Sequence, residues 1–142
     1  MRLLVLETSA WTVTAVQERT QAGEYDCPFV SSLEELGPNY TKSMDGLMSM
    51  LEKFAAHGQR MLNDEICHEA DKNAKIFEFI KGDLRLLWFY GDGNKIIVCS
   101  HVFVKKRQKA PPLEVRKAIN LKDRYEKLIR DGKKIELFFE EE

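Results

Sequence analysis

The chain has 142 residues, with 44% apolar and 32% charged side chains and a formal net charge of −1. This length and ordinary composition fit one soluble domain that can bury a core without disulfide or metal staples. No apolar run approaches the roughly 20 residues that cross a bilayer, and the apolar start ends at Glu7, so we expect no signal peptide, no membrane association and a cytoplasmic location.

Charge is unevenly distributed along the chain. Residues 1–71 carry 5 Lys or Arg and 12 Asp or Glu, residues 72–109 carry 9 and 3, and residues 110–142 carry 8 and 8. The basic middle segment favours a polyanionic partner such as nucleic acid, although a run of charge is also typical of an ordinary solvated face. The cysteines Cys27, Cys67 and Cys99 lack the spacing of a zinc site, which indicates reduced thiols and no metal site.

The first half of the chain has the pattern of strands followed by helices. Residues 2–18 have a β pattern, either one bent strand or a pair separated near Ser9-Ala10. Helices are predicted from Asp26 to Leu36 and from about Ser43 to His57, each with apolar residues at helical spacing and a glycine after its end. The polar residues 59–75 could form a short helix that leads into the next strand.

Three consecutive antiparallel strands are predicted at 76–80, 84–90 and 95–104, because short turn sequences join them. A helix at about 112–131 and a short edge strand at 135–139 follow. The expected fold is one α+β domain over residues 1–142, with a small antiparallel sheet of about four to five strands around the core 76–104 and with helices packed on one face.

Arg85 is the one charged residue of the middle strand, and alternation places it on the face of Leu87 and Phe89. It is either a charge that reaches solvent at the sheet edge or a guanidinium aimed into a concave face to hold a phosphate. Pairing across the hairpin loop predicts Ser100 or His101 opposite Arg85, so an imidazole could share this face with the guanidinium.

The order of these motifs resembles a known family. The run GDLRLLWFY at 82–90, a short loop, IIVCSH at 96–101 and FVKKRQKAPPLEVRKA at 103–118 closely resemble the phage-derived HigB-like branch of the RelE/ParE toxin superfamily. The resemblance covers about residues 70–128 and includes four cations within five residues at the exit of the last strand.

This resemblance implies the RelE-like toxin of a type II toxin–antitoxin pair of prophage origin, an mRNA interferase that cuts messenger RNA at the ribosome without a metal or other cofactor. The 2′-hydroxyl of the RNA attacks the adjacent phosphate, while the protein stabilises the developing charge and moves protons. The implied partners are mRNA, the ribosome and a helix-turn-helix antitoxin of the HigA kind. The implied site residues are Arg85, Lys106, Arg107 and His101 for catalysis, and Lys75, Lys81, Lys105 and Lys109 for RNA binding.

The chain departs from the family pattern in two places. RelE carries two lysines where this sequence has about Ile76 and Glu78, and the RelE tyrosine of the last helical region has no counterpart near Pro112 or Leu113. Two other functions are therefore open. One is inhibition of DNA gyrase without catalysis, as in ParE, and the other is an inactive member of the fold that binds RNA or a partner.

Overall fold

The computed structural model describes residues 1–105 and 111–140. Its elements in chain order are β1 (Arg2–Thr8), β2 (Thr12–Arg19), β3 (Tyr25–Asp26), α1 (Pro28–Glu34), α2 (Thr41–His57), β4 (Cys67–Asp71), β5 (Ile76–Lys81), β6 (Leu84–Tyr90), β7 (Ile96–Val104), α3 (Pro112–Arg130) and β8 (Glu136–Phe138). Short 3-10 turns at Pro38–Tyr40 and Gly58–Met61 flank α2. None of the helices within these ranges has an apolar stretch of the length that crossing a bilayer requires.

The strands form one mixed sheet with the order β4-β5-β6-β7-β2-β1-β8, and β3 pairs with β2 outside this path. The predicted meander β5-β6-β7 is confirmed, and so is the pair of N-terminal strands separated near Ser9-Ala10. The predicted sheet of about four to five antiparallel strands is wrong, because the N-terminal hairpin joins the meander. The sheet of the described residues has eight strands, with β2 parallel to β7 and β1 parallel to β8.

Helices cover both faces of this sheet. Successive strand residues send their side chains to opposite faces, so Trp88 of β6 packs with Phe54 of α2 while Phe89 packs with Tyr125 of α3. Helices α1 and α2 lie on the first face, here called the α2 face, and α3 lies on the second, the α3 face. The prediction that all helices pack on one face is wrong, because an apolar stripe shows that a helix packs on a sheet but not on which side.

The hairpin between β6 and β7 sets the position of Arg85. Tyr90 pairs with Ile97, so the loop is longer than predicted, and a β-bulge at Ser100 adds one more residue to β7. Arg85 therefore pairs with Phe103, and the predicted pairing with Ser100 or His101 is wrong. His101 pairs with Leu87, which lies on the α3 face together with Arg85.

Beyond the bulge the sheet divides. β2 and β7 pair from Thr12 and Ile96 up to Ala15 and Cys99, and further along β7 the neighbouring element is α1. The hydroxyl of Ser32 in α1 accepts a hydrogen bond from the backbone N–H of Val102 at 2.9 Å. The Ser32 hydroxyl thus accepts the hydrogen bond that the carbonyl of a neighbouring strand would otherwise accept. Because none of the described strands pairs with this part of β7 on the side away from β6, a cavity remains between α1 and α3.

The polar residues before the meander form an edge strand. β4 pairs antiparallel with β5, and His68 stands opposite Glu78. The short helix considered for residues 59–75 is present only as the 3-10 turn at Gly58–Met61. An edge strand needs few apolar side chains, which explains the polar sequence of β4.

Candidate functional site

Arg85 lies on the α3 face at the end of β6 where the chain enters from the Gly82 turn, and it is partly exposed. Its Nη1 donates hydrogen bonds to the carbonyl oxygens of Gly82 at 2.8 Å and Leu84 at 2.9 Å. Its Nε is buried and has no hydrogen-bond partner among the described residues. Two carbonyls therefore fix the guanidinium in place without using all of its donors.

Glu78 and Lys105 form an ion pair across β6, the strand that carries Arg85. Glu78 of β5 pairs with Leu87, so its side chain also lies on the α3 face, where it is only 3% exposed. Its Oε1 is 3.9 Å from Lys105 Nζ and 3.7 Å from His68 Nδ1. Because β6 lies between β5 and β7, the contact between Glu78 and Lys105 crosses β6 on the face of Arg85.

His101 of β7 also lies on the α3 face, together with Glu78 of β5 and Arg85 of β6. Its imidazole is buried, its Nδ1 is 2.8 Å from Ser100 Oγ, and its Nε2 is 3.6 Å from Oε1 of Glu114 in the first turn of α3. Burial lowers the pKa of His101, and Lys117 lowers it further, whereas Glu114 acts in the opposite direction. The imidazole is therefore uncharged at neutral pH.

We call Glu78, Arg85, His101 and Lys105, with His68 beside them, the polar cluster. Three of its buried atoms, Glu78 Oε2, Arg85 Nε and His101 Nε2, have no hydrogen-bond partner within residues 1–105 and 111–140. Buried polar atoms are almost always paired, so each exception calls for an explanation such as a bound water or ion, strain or a catalytic role. A fourth such atom, Trp88 Nε1, lies on the α2 face.

The cluster holds both signs of charge. Arg85 and Lys105 supply two cations, and Glu78 places one carboxylate between Lys105 and His68. A carboxylate beside a lysine fixes the position of the ammonium group and offsets part of its charge. The arrangement can hold an anion at Arg85 and offers an imidazole and a carboxylate as proton acceptors. Within the described ranges no three His, Cys, Asp or Glu side chains come together in a way that could hold a metal ion.

The structure separates some of the predicted site residues from the polar cluster. Lys81 pairs with Leu84, so its side chain is on the α2 face, where it lies against Gly46 of α2. Lys75 precedes β5 at the end of the strand away from Lys105, in an exposed turn with a φ of +57°. The predicted residues Lys106, Arg107 and Lys109 lie outside the described residues.

Sequence reasoning missed Glu78 as a member of the site. The signal was present, because Glu78 is the one charged side chain within the run IFEFI, and the tight turn at Gly82-Asp83 pairs Lys81 with Leu84. Counting back from that pair places Glu78 beside Leu87 and hence on the face of Arg85. Glu114 had no comparable signal, because its contact with His101 depends on the side of the sheet that α3 occupies.

Comparison with known proteins identifies the family of the chain. No curated protein matches the chain. The family model described as phage derived protein Gp49-like (DUF891) matches residues 31–123, which is 93 of the 142 residues and includes the whole polar cluster. The chain therefore belongs to the phage-derived Gp49-like family, a toxin-like family related to the RelE toxin–antitoxin systems.

Proposed function

We propose that this protein is the toxin of a type II toxin–antitoxin system in the HigB-like branch, and that it is a metal-independent endoribonuclease acting on translated mRNA. Membership of a toxin-like family supports the toxin class. The observation that carries the nuclease proposal is that Arg85 and Lys105 lie on one sheet face, beside buried polar atoms that lack partners among the described residues. These groups suit a phosphodiester with developing negative charge.

In the proposed reaction the 2′-oxygen of one ribose attacks the adjacent phosphorus, and the bond from phosphorus to the 5′-oxygen of the next nucleotide breaks. The products are a 2′,3′-cyclic phosphate and a 5′-hydroxyl. The 2′-hydroxyl loses a proton and the leaving 5′-oxygen gains one, so the balance needs a base and an acid but no metal. Nη1 of Arg85 already donates to two carbonyl oxygens and Nε is buried, so Nη2 is the atom proposed to bind a phosphate oxygen, and Lys105 adds a point charge.

The remaining roles follow from the chemistry of each group. His101 is uncharged at neutral pH because burial lowers its pKa, which favours it as a proton acceptor over a proton donor. Lys106 and Arg107 are proposed to add to charge stabilisation, and Lys109 to hold the RNA backbone. Lys75 and Lys81 lie apart from the cluster, and we assign them no direct part in cleavage.

The proposed partners are mRNA on the ribosome and a helix-turn-helix antitoxin of the HigA kind. An antitoxin that covers the Arg85 end of the α3 face would block substrate access. Complementary charge would steer this association, which predicts that it weakens at higher ionic strength.

Brief induced expression in a bacterial host tests the activity. We expect rapid loss of protein synthesis and new 5′ ends in translated transcripts. Arg85→Ala should reduce the frequency of these ends by about 100-fold, which is typical when a group that stabilises transition-state charge is removed. The matched control is Lys81→Ala, a cation of the same sheet on the opposite face, which should leave cleavage nearly unchanged. Thermal unfolding of both purified variants checks that each one folds.

Three results would contradict the proposal. DNA damage with intact transcripts would identify a gyrase inhibitor of the ParE kind. Normal growth on expression of the wild-type chain would identify an inactive member that binds RNA or a partner. Undiminished transcript cleavage by a folded Arg85→Ala variant would show that the polar cluster is not the nuclease centre.

A further inference from the structure

A cavity of about 350 Å³ lies where the sheet divides, between α1 and α3 and next to the polar cluster. Its volume is within the range of about 300–1,000 Å³ that is usual for small-ligand pockets. The residues that matter for its chemistry are Pro28 and Ser31 from α1, Ser100 and His101 from β7, and Asn120 and Leu121 from α3. His101 thus belongs both to the polar cluster and to the wall of this cavity.

The two cationic side chains that line the cavity, Lys117 and Arg124, are already paired. Lys117 Nζ is 3.1 Å from Glu114 Oε1, and Arg124 binds Glu18 through two hydrogen bonds of 2.9 and 3.0 Å. The other charged residue of the lining is the exposed Glu35. Because each of the two cations has a carboxylate partner, the part of the lining formed by residues 1–105 and 111–140 offers no free positive charge to a phosphate. An uncharged polar ligand fits it better than an anion does.

The inner wall offers hydrogen-bonding groups of the kind that recognise a heterocycle. His101 lines the wall but is only 7% exposed, and its Nε2 is buried 3.6 Å from Glu114 Oε1. The groups open to a ligand are therefore the Ser31 hydroxyl and the Asn120 amide. Asn120 has an amide that can donate and accept at once, which matches the paired donors and acceptors on a base edge. Pro28 and Leu121 add apolar surface for the faces of a flat ring.

We propose that this cavity binds one base of the RNA substrate, at the nucleotide next to the phosphate held by Arg85. The proposal rests on the ribonuclease function proposed above. His101 is two residues along β7 from Phe103, the pairing partner of Arg85, which is roughly 7 Å at about 3.3 Å per residue. A single nucleotide spans this distance, so one RNA chain can place its phosphate at Arg85 and an adjoining base in the cavity.

The first experiment compares where transcripts are cut. Wild type, Asn120→Ala and Asn120→Asp are each expressed briefly, and the bases around all cut sites are mapped. If one lost hydrogen bond contributes its usual free energy, the preference for the favoured base should fall by about 3- to 10-fold in Asn120→Ala. Asn120→Asp should shift the preference towards another base, because it replaces a donor with an acceptor. Lys127→Ala is the matched control on the exposed side of α3 and should keep the wild-type preference.

The second experiment does not depend on cleavage. Adenosine, guanosine, cytidine and uridine are titrated into the purified protein while the imidazole signals of His101 and the side-chain amide of Asn120 are followed by NMR. We expect at least one nucleoside to shift both sets of signals, and ribose 5-phosphate to shift neither.

The two results separate the base pocket from the nuclease. Unchanged base preference in both Asn120 variants, with no nucleoside-dependent shift, would overturn the pocket and leave the nuclease standing. Nucleoside binding at His101 without any transcript cleavage would support the pocket as a nucleoside site and overturn the ribonuclease. Equal shifts with ribose 5-phosphate would show that the cavity recognises phosphate or sugar, which contradicts a base pocket.

Discussion

Glu78 and Lys105 form an ion pair in which both side chains are nearly buried, at 4% and 10% exposure. A buried charge that loses its partner is costly, whereas a buried pair contributes little net stability. The role of Glu78 is therefore to determine where the Lys105 ammonium lies, over the strand of Arg85. This makes Glu78 a positioning residue for the proposed phosphate site.

A double-mutant cycle measures this coupling. Lys105→Met leaves the buried Glu78 carboxylate without its lysine partner and should lower the free energy of unfolding by roughly 3 kcal/mol. Adding Glu78→Gln removes the buried charge and should recover at least half of that loss. Urea denaturation of the wild type, both single variants and the double variant gives the interaction free energy. Additive effects of the two substitutions would show that the side chains are not coupled.

At the scale of single residues, the sequence predicted the face of Arg85 but not its neighbours. Alternation is a local property, so it placed Arg85 with Leu87 correctly. The partner on β7 depends on loop length and on the bulge at Ser100, neither of which has a strong sequence signal. His101 nevertheless shares the face of Arg85, because it lies two residues along β7 from Phe103, the residue that pairs with Arg85.

At the scale of elements, α1 acts as a substitute for a strand beside the second half of β7. The Ser32 hydroxyl accepts from the N–H of Val102 and donates to the carbonyl oxygen of Phe29 at 2.8 Å. At this contact between α1 and β7, the Ser32 side chain is the hydrogen-bond acceptor of the Val102 N–H, which in a regular sheet would bond to a neighbouring strand.

Ser32→Ala should lower the free energy of unfolding by about 1–3 kcal/mol, because the partly buried Val102 N–H loses its acceptor. Ser31→Ala is the matched control, since the Ser31 hydroxyl makes only an exposed contact of 3.3 Å with Asp26. Its expected effect is within about 0.5 kcal/mol. Urea denaturation checks both values, and equal effects of the two substitutions would contradict this role of Ser32.

Helical periodicity predicted the helices well, and strand alternation predicted the meander. α2 and α3 begin and end within two residues of the predicted bounds, because their apolar stripes and terminal glycines are local signals. The strand β4 was missed because its sequence, CHEAD, is polar at an edge that buries little. The sides taken by α1 and α3 could not be predicted, because they depend on how distant strands pair.

At the scale of the whole molecule, the C-terminal strand closes the sheet beside β1. Phe138 of β8 covers the guanidinium of Arg2, whose Cζ is 3.6 Å from the ring centroid, and the same guanidinium lies 3.7 Å from the ring of Tyr25. The first and last strands of the described residues are thus joined at one edge of the sheet.

Ending the chain at Lys134 should lower the free energy of unfolding by about 2 kcal/mol, which is the usual loss when one large apolar side chain is left uncovered. The truncation also leaves the edge of β1 unpaired, which favours self-association. Phe139→Ser is the control, because Phe139 is 60% exposed and lies beyond β8. Denaturation and light scattering measure the two effects, and wild-type stability after truncation would show that β8 is dispensable.

The parallel pairing of β2 with β7 has a consequence for how the protein is made. The Thr14 hydroxyl meets the carbonyl oxygen of Ile97, 83 positions later in the chain. On a translating ribosome β1 and β2 leave the exit tunnel long before β7, the strand with which β2 pairs. Pairing between strands that are distant in sequence slows folding. The surface proposed to bind messenger RNA includes Lys105, so it also forms only after β7 has been made. A protein that acts against translation would then gain its proposed RNA-binding surface only after β7 and Lys105 have left the ribosome.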